Sequence, residues 1–206
     1  MIELALKDFW LYLGWVMIMV GSICLHELFH ALAAWSQGDR TAKEQGYFTL
    51  NPLVHMGVTS LVFLMLFGIA WGACPVNSAR LRHGGWSEAW VSFAGPLANA
   101  ILMLAFAAGF HLLPAAASLQ SFCALAAMLN AGLLLFNLIP IPPLDGAGVV
   151  SGLLPASRKF YAAIEPVGML LVMLLLWFNV GGFSLWEAAR TLSGQTILLL
   201  QAVAGG

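Results

Sequence analysis

Residues 22–35 read SICLHELFHALAAW and place two histidines and a glutamate inside an apolar run that extends over roughly residues 9–35. A run of this length can cross a membrane, for which about 20 residues suffice. Ionisable side chains are costly in hydrocarbon, and inside a membrane span they indicate a functional site. This stretch therefore predicts both a membrane-spanning helix and the place where the chemistry occurs.

The composition of the whole chain agrees with a membrane protein. Of the 206 residues, 61% are hydrophobic and only 8% are charged, which is too little polar surface to cover a soluble core. The net charge of −1 offers no basic surface, so we predict no nucleic-acid partner. Cys24, Cys74 and Cys123 form no CxxC pair, and we interpret them as buried residues rather than a disulfide framework or a zinc cluster.

Apolar runs long enough to span the bilayer occur five times along the chain. They cover roughly residues 9–35, 57–74, 89–113, 122–139 and 163–180. The tail after Gly194 has only a short apolar run and could form an interfacial helix or a weak sixth span. The polar joints leave no room for a soluble domain. We therefore predict an all-α polytopic membrane protein, a helical bundle of one domain over 1–206, with its core at about 9–150 and C-terminal helices at about 163–206.

The residues His26, Glu27 and His30 spell HExxH. On a helix, positions i and i+4 share one face about 6 Å apart, so two imidazoles can hold one zinc ion. The glutamate then lies beside the metal as a base rather than a ligand. The alternative is a pair of histidines that only hydrogen-bond within a helical bundle, but it must explain three ionisable residues in five apolar positions. A metal explains all three together.

Two histidines do not complete a catalytic zinc site, which usually has three protein ligands. Most of the remaining acidic residues lie at the termini, in loops or at the ends of apolar runs. Asp145 is different because it follows the segment FNLIPIPPLDG. Three prolines in that segment must unwind the end of the fourth run, and unwound backbone at membrane depth is tolerated where it lines a cavity. Asp145 is therefore the candidate third ligand.

Several segments together resemble the site-2 protease family of intramembrane zinc metalloproteases, in its short form without a PDZ domain. The matching segments are HELFH, LNPLVHMG, WGACPVNSARL, SFAGPLANAI and FNLIPIPPLDGAGVV, spanning about residues 22–150. The resemblance implies that His26, His30 and Asp145 bind one zinc ion and that Glu27 is the catalytic glutamate.

Two asparagines and one further histidine also fall on motifs of that family. Asn137 matches an asparagine that supports the substrate or the active-site backbone, and Asn99 in GPLAN is structural or faces the substrate. His55, in the NPxxH match, receives no catalytic role, and we interpret it as a hydrogen-bonded loop histidine.

The predicted function is zinc-dependent cleavage of transmembrane segments in single-span membrane protein substrates, within the lipid bilayer. An inactive zinc-binding relative that acts as a membrane chaperone or binding partner is the alternative, although such a protein would more often have lost Glu27. A metal transporter would need further intramembrane ligands, and a protease facing water would usually carry a soluble domain after HExxH. The sequence does not indicate an oligomeric state.

Topology follows from bringing the proposed ligands together. His26 lies toward the C-terminal end of the first run and Asp145 follows the C-terminal end of the fourth, so these ends must face the same side of the membrane. If 57–74 and 89–113 both crossed, Asp145 would lie on the opposite side from His26. Three glycines within 57–74 and a proline at its end favour a re-entrant hairpin or a broken helix. The family resemblance implies a re-entrant β-hairpin at this place.

The distribution of positive charge then gives an orientation. With 57–74 re-entrant, six of the eight Lys and Arg residues fall on the active-site side. The positive-inside rule places that side in the cytosol. We predict an N-terminus outside, cytosolic loops at 37–56 and 76–88, and a site opening to the cytosol. The lack of eukaryotic insertions favours a prokaryotic cell membrane.

Overall fold

The computed structural model describes residues 1–113, 116–178 and 184–204. Within these ranges the chain forms α-helices and two short 3-10 turns, with no β-strand. The helices are α1 Ile2–Lys7, α2 Phe9–Ser36, α3 Thr41–Glu44, α4 Pro52–His55, α5 Gly57–Phe67, α6 Gly85–Leu112, α7 Ala117–Asn137, α8 Asp145–Leu153, α9 Arg158–Phe178 and α10 Leu185–Ala204. The last two residues of the predicted run 163–180 lie outside the described residues. So do the last two residues of the predicted domain, 205–206.

Among the described residues, three helices are long and apolar enough to cross a membrane, namely α2, α6 and α7. They correspond to the first, third and fourth apolar runs, so the predicted all-α polytopic fold is confirmed. The helices α6 and α7 begin before their apolar runs, because polar residues can begin a helix. At the start of α2 a polar residue caps the helix: the Asp8 carboxylate accepts a hydrogen bond from the Leu11 N–H at 3.0 Å.

The α6 and α7 helices pack closely, with small residues at their contact. One buried cluster combines Met103, Ala107, Ala127, Ala131 and Ala189. Small side chains allow helix backbones to approach in a membrane, where no hydrophobic force drives them together. Ala189 belongs to α10, and the His111 Nε2 donates to the Ile197 carbonyl at 2.8 Å. The C-terminal tail therefore packs along the α6–α7 pair.

The second apolar run turns back on itself. The helix α5 has only 11 residues and is capped by Gly68, whose φ of +78° lies in the left-handed region that glycine adopts without strain. Residues 69–77, here called the return limb, continue without helix. The Ser60 hydroxyl donates to the Trp71 carbonyl at 2.7 Å and accepts from the Trp71 N–H at 2.9 Å. The Ala73 N–H donates to the His55 carbonyl at 2.9 Å.

These bonds bring the chain back to the level at which α5 begins, so the predicted re-entrant segment is confirmed. Its form differs from the β-hairpin that the family resemblance implies. The descending half is helical and satisfies its own backbone groups, while Ser60 and the end of α4 bond the return limb. No strand partner is needed, and none is present in the described residues.

The Pro-rich segment is non-helical, as predicted. The helix α7 ends at Asn137 and α8 begins at Asp145, with turns over 138–144 between them. At the same end of the bundle, the Ser87 hydroxyl donates to the Gln37 Oε1 at 2.8 Å, and the Arg82 N–H donates to the Gln37 carbonyl at 3.0 Å. The C-terminal end of α2 therefore lies beside the start of α6.

Asp39 ties the return limb to the loop after α2. Its buried carboxylate accepts from the Thr41 N–H at 2.9 Å, from the Thr41 hydroxyl at 2.5 Å and from the Asn77 N–H at 2.6 Å. Burial alone would raise the pKa of Asp39, but these hydrogen bonds hold it below its ordinary value. The carboxylate therefore joins the two loops most strongly when it is ionised.

Candidate metal centre

The three ligands predicted from the sequence meet at one point. His26 and His30 lie one turn apart on α2, with their Nε2 atoms 3.0 Å from each other. The two carboxylate oxygens of Asp145 lie 3.0 Å from the His26 Nε2 and 3.3 Å from the His30 Nε2. One atom from each of the three residues falls within 4.8 Å of the others. The turn over 138–144 delivers Asp145 to this position.

The hydrogen bonds of the two histidines define which ring nitrogen carries the proton. The His26 Nδ1 lies 2.6 Å from the Asn99 Oδ1, and the His30 Nδ1 lies 2.7 Å from the Val91 carbonyl oxygen. Both partners are acceptors, so each Nδ1 donates and each Nε2 of a neutral imidazole has a free lone pair. A carboxylate or carbonyl behind a histidine is the usual arrangement for a metal ligand.

This donor set fits a divalent cation. Two Nε2 lone pairs and a carboxylate converge without a hydrogen between them, which would be repulsive without a positive charge. The Asp145 Oδ2 is buried and has no hydrogen-bond donor. Two imidazoles and one carboxylate are the protein ligands of a common class of catalytic zinc site, in which a further position stays open.

One face of α6 forms a helical wall over the histidines. Val91, Gly95 and Asn99 follow one another at intervals of four residues, so they share this face. A Cβ atom on Gly95 would collide with the Nε2 of both His26 and His30. The same face therefore supplies a carbonyl for His30, the space for both rings, and an amide for His26.

The return limb forms a second wall, over Glu27. The Glu27 side chain is 8% exposed and lies against the backbone of Gly72. A Cβ atom on Gly72 would collide with the Glu27 carboxylate. Because successive residues of a helix point about 100° apart, the base and the metal ligands of α2 face different walls.

The hydrogen bonds of Asn137 and His55 go to main-chain carbonyls rather than to the ligand group. The Asn137 amide nitrogen donates to the Leu133 carbonyl of its own helix at 3.0 Å. The His55 Nε2 donates to the Thr49 carbonyl at 2.7 Å, which agrees with a hydrogen-bonded loop histidine. Asn99, by contrast, is fully buried and bonded to His26.

Asn130 is a residue that the sequence reasoning missed. It is fully buried in α7, and its Oδ1 accepts from the Asn99 Nδ2 at 3.2 Å. Its own amide nitrogen donates to the Ala126 carbonyl at 2.9 Å. The available signal was a polar amide inside an apolar run, but Asn130 falls on none of the family motifs that identified Asn99 and Asn137.

A polar cavity of about 470 Å³ opens beside Asp145, between α6, the Pro-rich turn, α8 and α9. An ion pair between Glu88 of α6 and Arg158 of α9 lies in its lining. Other polar lining residues are Ser92, Ser151, Tyr161 and Glu165. The ligand group therefore has a hydrophilic side as well as two tightly packed walls.

Comparison with known proteins places these features in a family. The model of peptidase family M50 matches residues 111–177. The Bacillus subtilis protein YwhC, named as a zinc metalloprotease, is 32% identical over 199 residues, which cover 91% of each chain. Two proteins named as the zinc metalloprotease Rip2 also match. The Mycolicibacterium smegmatis protein is 36% identical over a match that covers 79% of this chain and 64% of its own length. The protein of Mycobacterium tuberculosis strain H37Rv is 34% identical over a match that covers 78% of this chain and 66% of its own length. No solved structure matches the chain significantly.

Proposed function

The chain belongs to peptidase family M50, the site-2 protease family of zinc metalloproteases, and from that membership we propose that it cleaves the transmembrane segments of single-span membrane proteins. It is a multi-pass membrane hydrolase with a zinc cofactor. The observation that carries the proposal is that HExxH, inside one spanning helix, meets Asp145, which follows the end of another. We treat residues 1–206 as one membrane-embedded catalytic domain.

The depth of the site supports a substrate bond within the bilayer. His26 lies 17 residues beyond Phe9, which corresponds to roughly 25 Å along α2 at about 1.5 Å per residue. This position is below the surface of the membrane but nearer to one side. We assign His26, His30 and Asp145 as the ligands of one zinc ion.

The chemistry is that of peptide hydrolysis. When bound, zinc supplies a Lewis acid where the three ligands converge. Glu27 accepts the proton that the attacking water gives up, and then donates it to the leaving amine. The polar cavity beside Asp145 supports a route by which water reaches this point from the side of α8 and α9.

The substrate must be extended before it can be cut, because the carbonyls of a helix are hydrogen-bonded and its backbone is shielded. An extended peptide can align along another extended segment through main-chain hydrogen bonds. The return limb, which lies against Glu27, is suited to this role. We assign Asn137 to support of the substrate or of the active-site backbone.

A comparison of two kinds of variant tests the proposal. We expect Glu27→Gln to abolish cleavage of membrane substrates while zinc stays near one per chain, since the base is removed and the ligands remain. His26→Ala, His30→Ala and Asp145→Ala should each lower the zinc content. The readouts are zinc analysis of the purified protein and the accumulation of single-span proteins in membranes of cells that carry Glu27→Gln. A Glu27→Gln variant with full function would instead favour a zinc-binding partner that does not cut.

For orientation, we propose a prokaryotic cell membrane with the N-terminus outside and the site open to the cytosol. The loops 37–56 and 76–88 are then both cytosolic, which the excess of Lys and Arg supports. Single cysteines at Lys43 and Arg82, in a cysteine-free background, should resist an impermeant thiol reagent added to intact cells. Labelling of either position would overturn this orientation.

A further inference from the structure

We propose that Asn130 is a positioning residue of the metal centre, which acts on His26 through Asn99. This inference rests on the zinc ligands of the proposed function. The three residues lie on α7, α6 and α2 and form one chain of hydrogen bonds across the spanning helices. Both asparagines are fully buried.

The direction of each bond in this chain is determined by the one before it. The Asn130 amide nitrogen donates to the Ala126 carbonyl, which turns the Asn130 oxygen toward α6. That oxygen accepts from the Asn99 nitrogen, which turns the Asn99 oxygen toward the His26 Nδ1. The His26 Nδ1 must therefore carry the proton, and its Nε2 has a lone pair for the metal.

Asn99 alone does not impose this state, because a side-chain amide presents an oxygen on one side and a nitrogen on the other. If the amide turned over, its N–H groups would point at the His26 Nδ1. The imidazole would then have to accept a hydrogen bond at Nδ1 and carry its proton at Nε2, where it could not bind a metal. The acceptor on Asn130 favours the orientation that leaves His26 competent as a ligand.

The test uses the full-length protein in detergent and two substitutions of similar size. Asn130→Leu removes the acceptor, whereas Asn130→Asp in its neutral acid form keeps an oxygen acceptor for Asn99 and an O–H donor for the Ala126 carbonyl. We expect Asn130→Leu to weaken zinc binding about 10-fold or more, measured by competition with a chromogenic chelator. We also expect it to change the visible spectrum of the Co²⁺-substituted protein. Asn130→Asp should remain close to the wild type in both measurements.

Leu129→Ala is the matched control. This neighbouring residue of α7 is buried in the core, and its side chain has no group that could hydrogen-bond to Asn99. It should lower thermal stability and leave zinc affinity and the Co²⁺ spectrum unchanged. In an Asn99→Ala background, Asn130→Leu should have no further effect on zinc affinity, since its route to His26 is already lost.

The outcomes separate this inference from the proposed function. If Asn130→Leu binds zinc like the wild type while His26→Ala does not, the positioning role is wrong and the ligand assignment stands. Equal weakening by Leu129→Ala, or by Asn130→Asp, would also overturn the positioning role. If His26→Ala itself binds zinc normally, the ligand assignment of the proposed function fails instead.

Discussion

The two walls of the metal centre, the face of α6 and the return limb, are built differently, although both contact the same part of α2. The helical wall of α6 contacts His26 and His30 at Gly95. The return limb contacts Glu27 at Gly72. The backbone of α6 is bonded within the helix. The backbone of the return limb depends on bonds from Ser60, from His55 and from Asp39.

This difference separates two requirements of a hydrolase within a membrane. Metal ligands must be held in one geometry, and a packed helix with buried amides holds them. The base must meet a substrate, and an extended segment can offer main-chain groups to one. Perturbing the helical wall should therefore abolish metal binding, whereas perturbing the return limb should lower turnover and leave the metal bound.

The largest effect is expected from Gly95→Ala. The added Cβ would clash with both Nε2 atoms, so α6 and α2 must separate or the rings must turn. Zinc content of the purified variant should fall below about a tenth of the wild-type value, and cleavage should be lost with it. Gly109→Ala, on the same helix, is the control, because its Cβ would meet Cys123 at an ordinary 3.4 Å. Normal zinc content in Gly95→Ala would show that α6 does not confine the ligands.

Gly72→Ala should have the next largest effect and should act on turnover alone. Its Cβ would displace the Glu27 carboxylate, and a misplaced general base costs about 100-fold in rate. Zinc analysis should still give about one ion per chain. The control is Gly21→Ala on α2, where nothing lies within 4 Å of the added atom. If Gly72→Ala lost its zinc, the two walls would not have separate roles.

Ser60→Ala should have a smaller effect because it loosens the return limb without touching Glu27. The substitution leaves the N–H and the carbonyl of Trp71 without their partner, at a cost of about 1–3 kcal/mol. We expect a melting temperature lower by a few degrees and a several-fold loss of cleavage. Ser193→Ala removes a hydroxyl that bonds only within its own helix, and it should be nearly neutral. Equal losses in both variants would assign the effect to general destabilisation.

The smallest effect concerns the pH dependence of the Asp39 link. A carboxyl whose pKa is lowered on folding stabilises the protein above its unfolded pKa of about 4, and this contribution is lost as pH falls through the folded pKa. The wild type should therefore be more stable than Asp39→Asn at pH 6, and the difference should shrink as the pH falls below the unfolded pKa. Thermal melts across this range measure it. A difference that grows on acidification would contradict the sign of the shift.

The parts of this architecture that local chemistry decides were predictable from the sequence. HExxH has a spacing that only a helix converts into a metal site, and the prolines before Asp145 prevent α7 from continuing. The requirement that His26 and Asp145 share one side of the membrane was enough to predict a re-entrant second run.

Other features depend on neighbours that are distant in the chain. Whether the return limb pairs as a strand or bonds to a helix is decided by Ser60 and His55, whose contacts have no periodic signature. The roles of Gly95 and Gly72 arise from close approach between segments. Asn130 is one amide among apolar residues, and its partner lies 31 residues away on another helix.

The two histidines differ in how easily a mutation can remove their hydrogen-bond partners. The partner of His30 is the main-chain carbonyl of residue 91, which every amino acid at that position retains. The partner of His26 is the side chain of Asn99, which one substitution removes. In a random mutant library, substitutions that lose the metal by misorienting a histidine ring should therefore act on His26. They should fall at positions 99 and 130. An engineer seeking a more mutation-tolerant centre would begin by replacing that side-chain support with a backbone one.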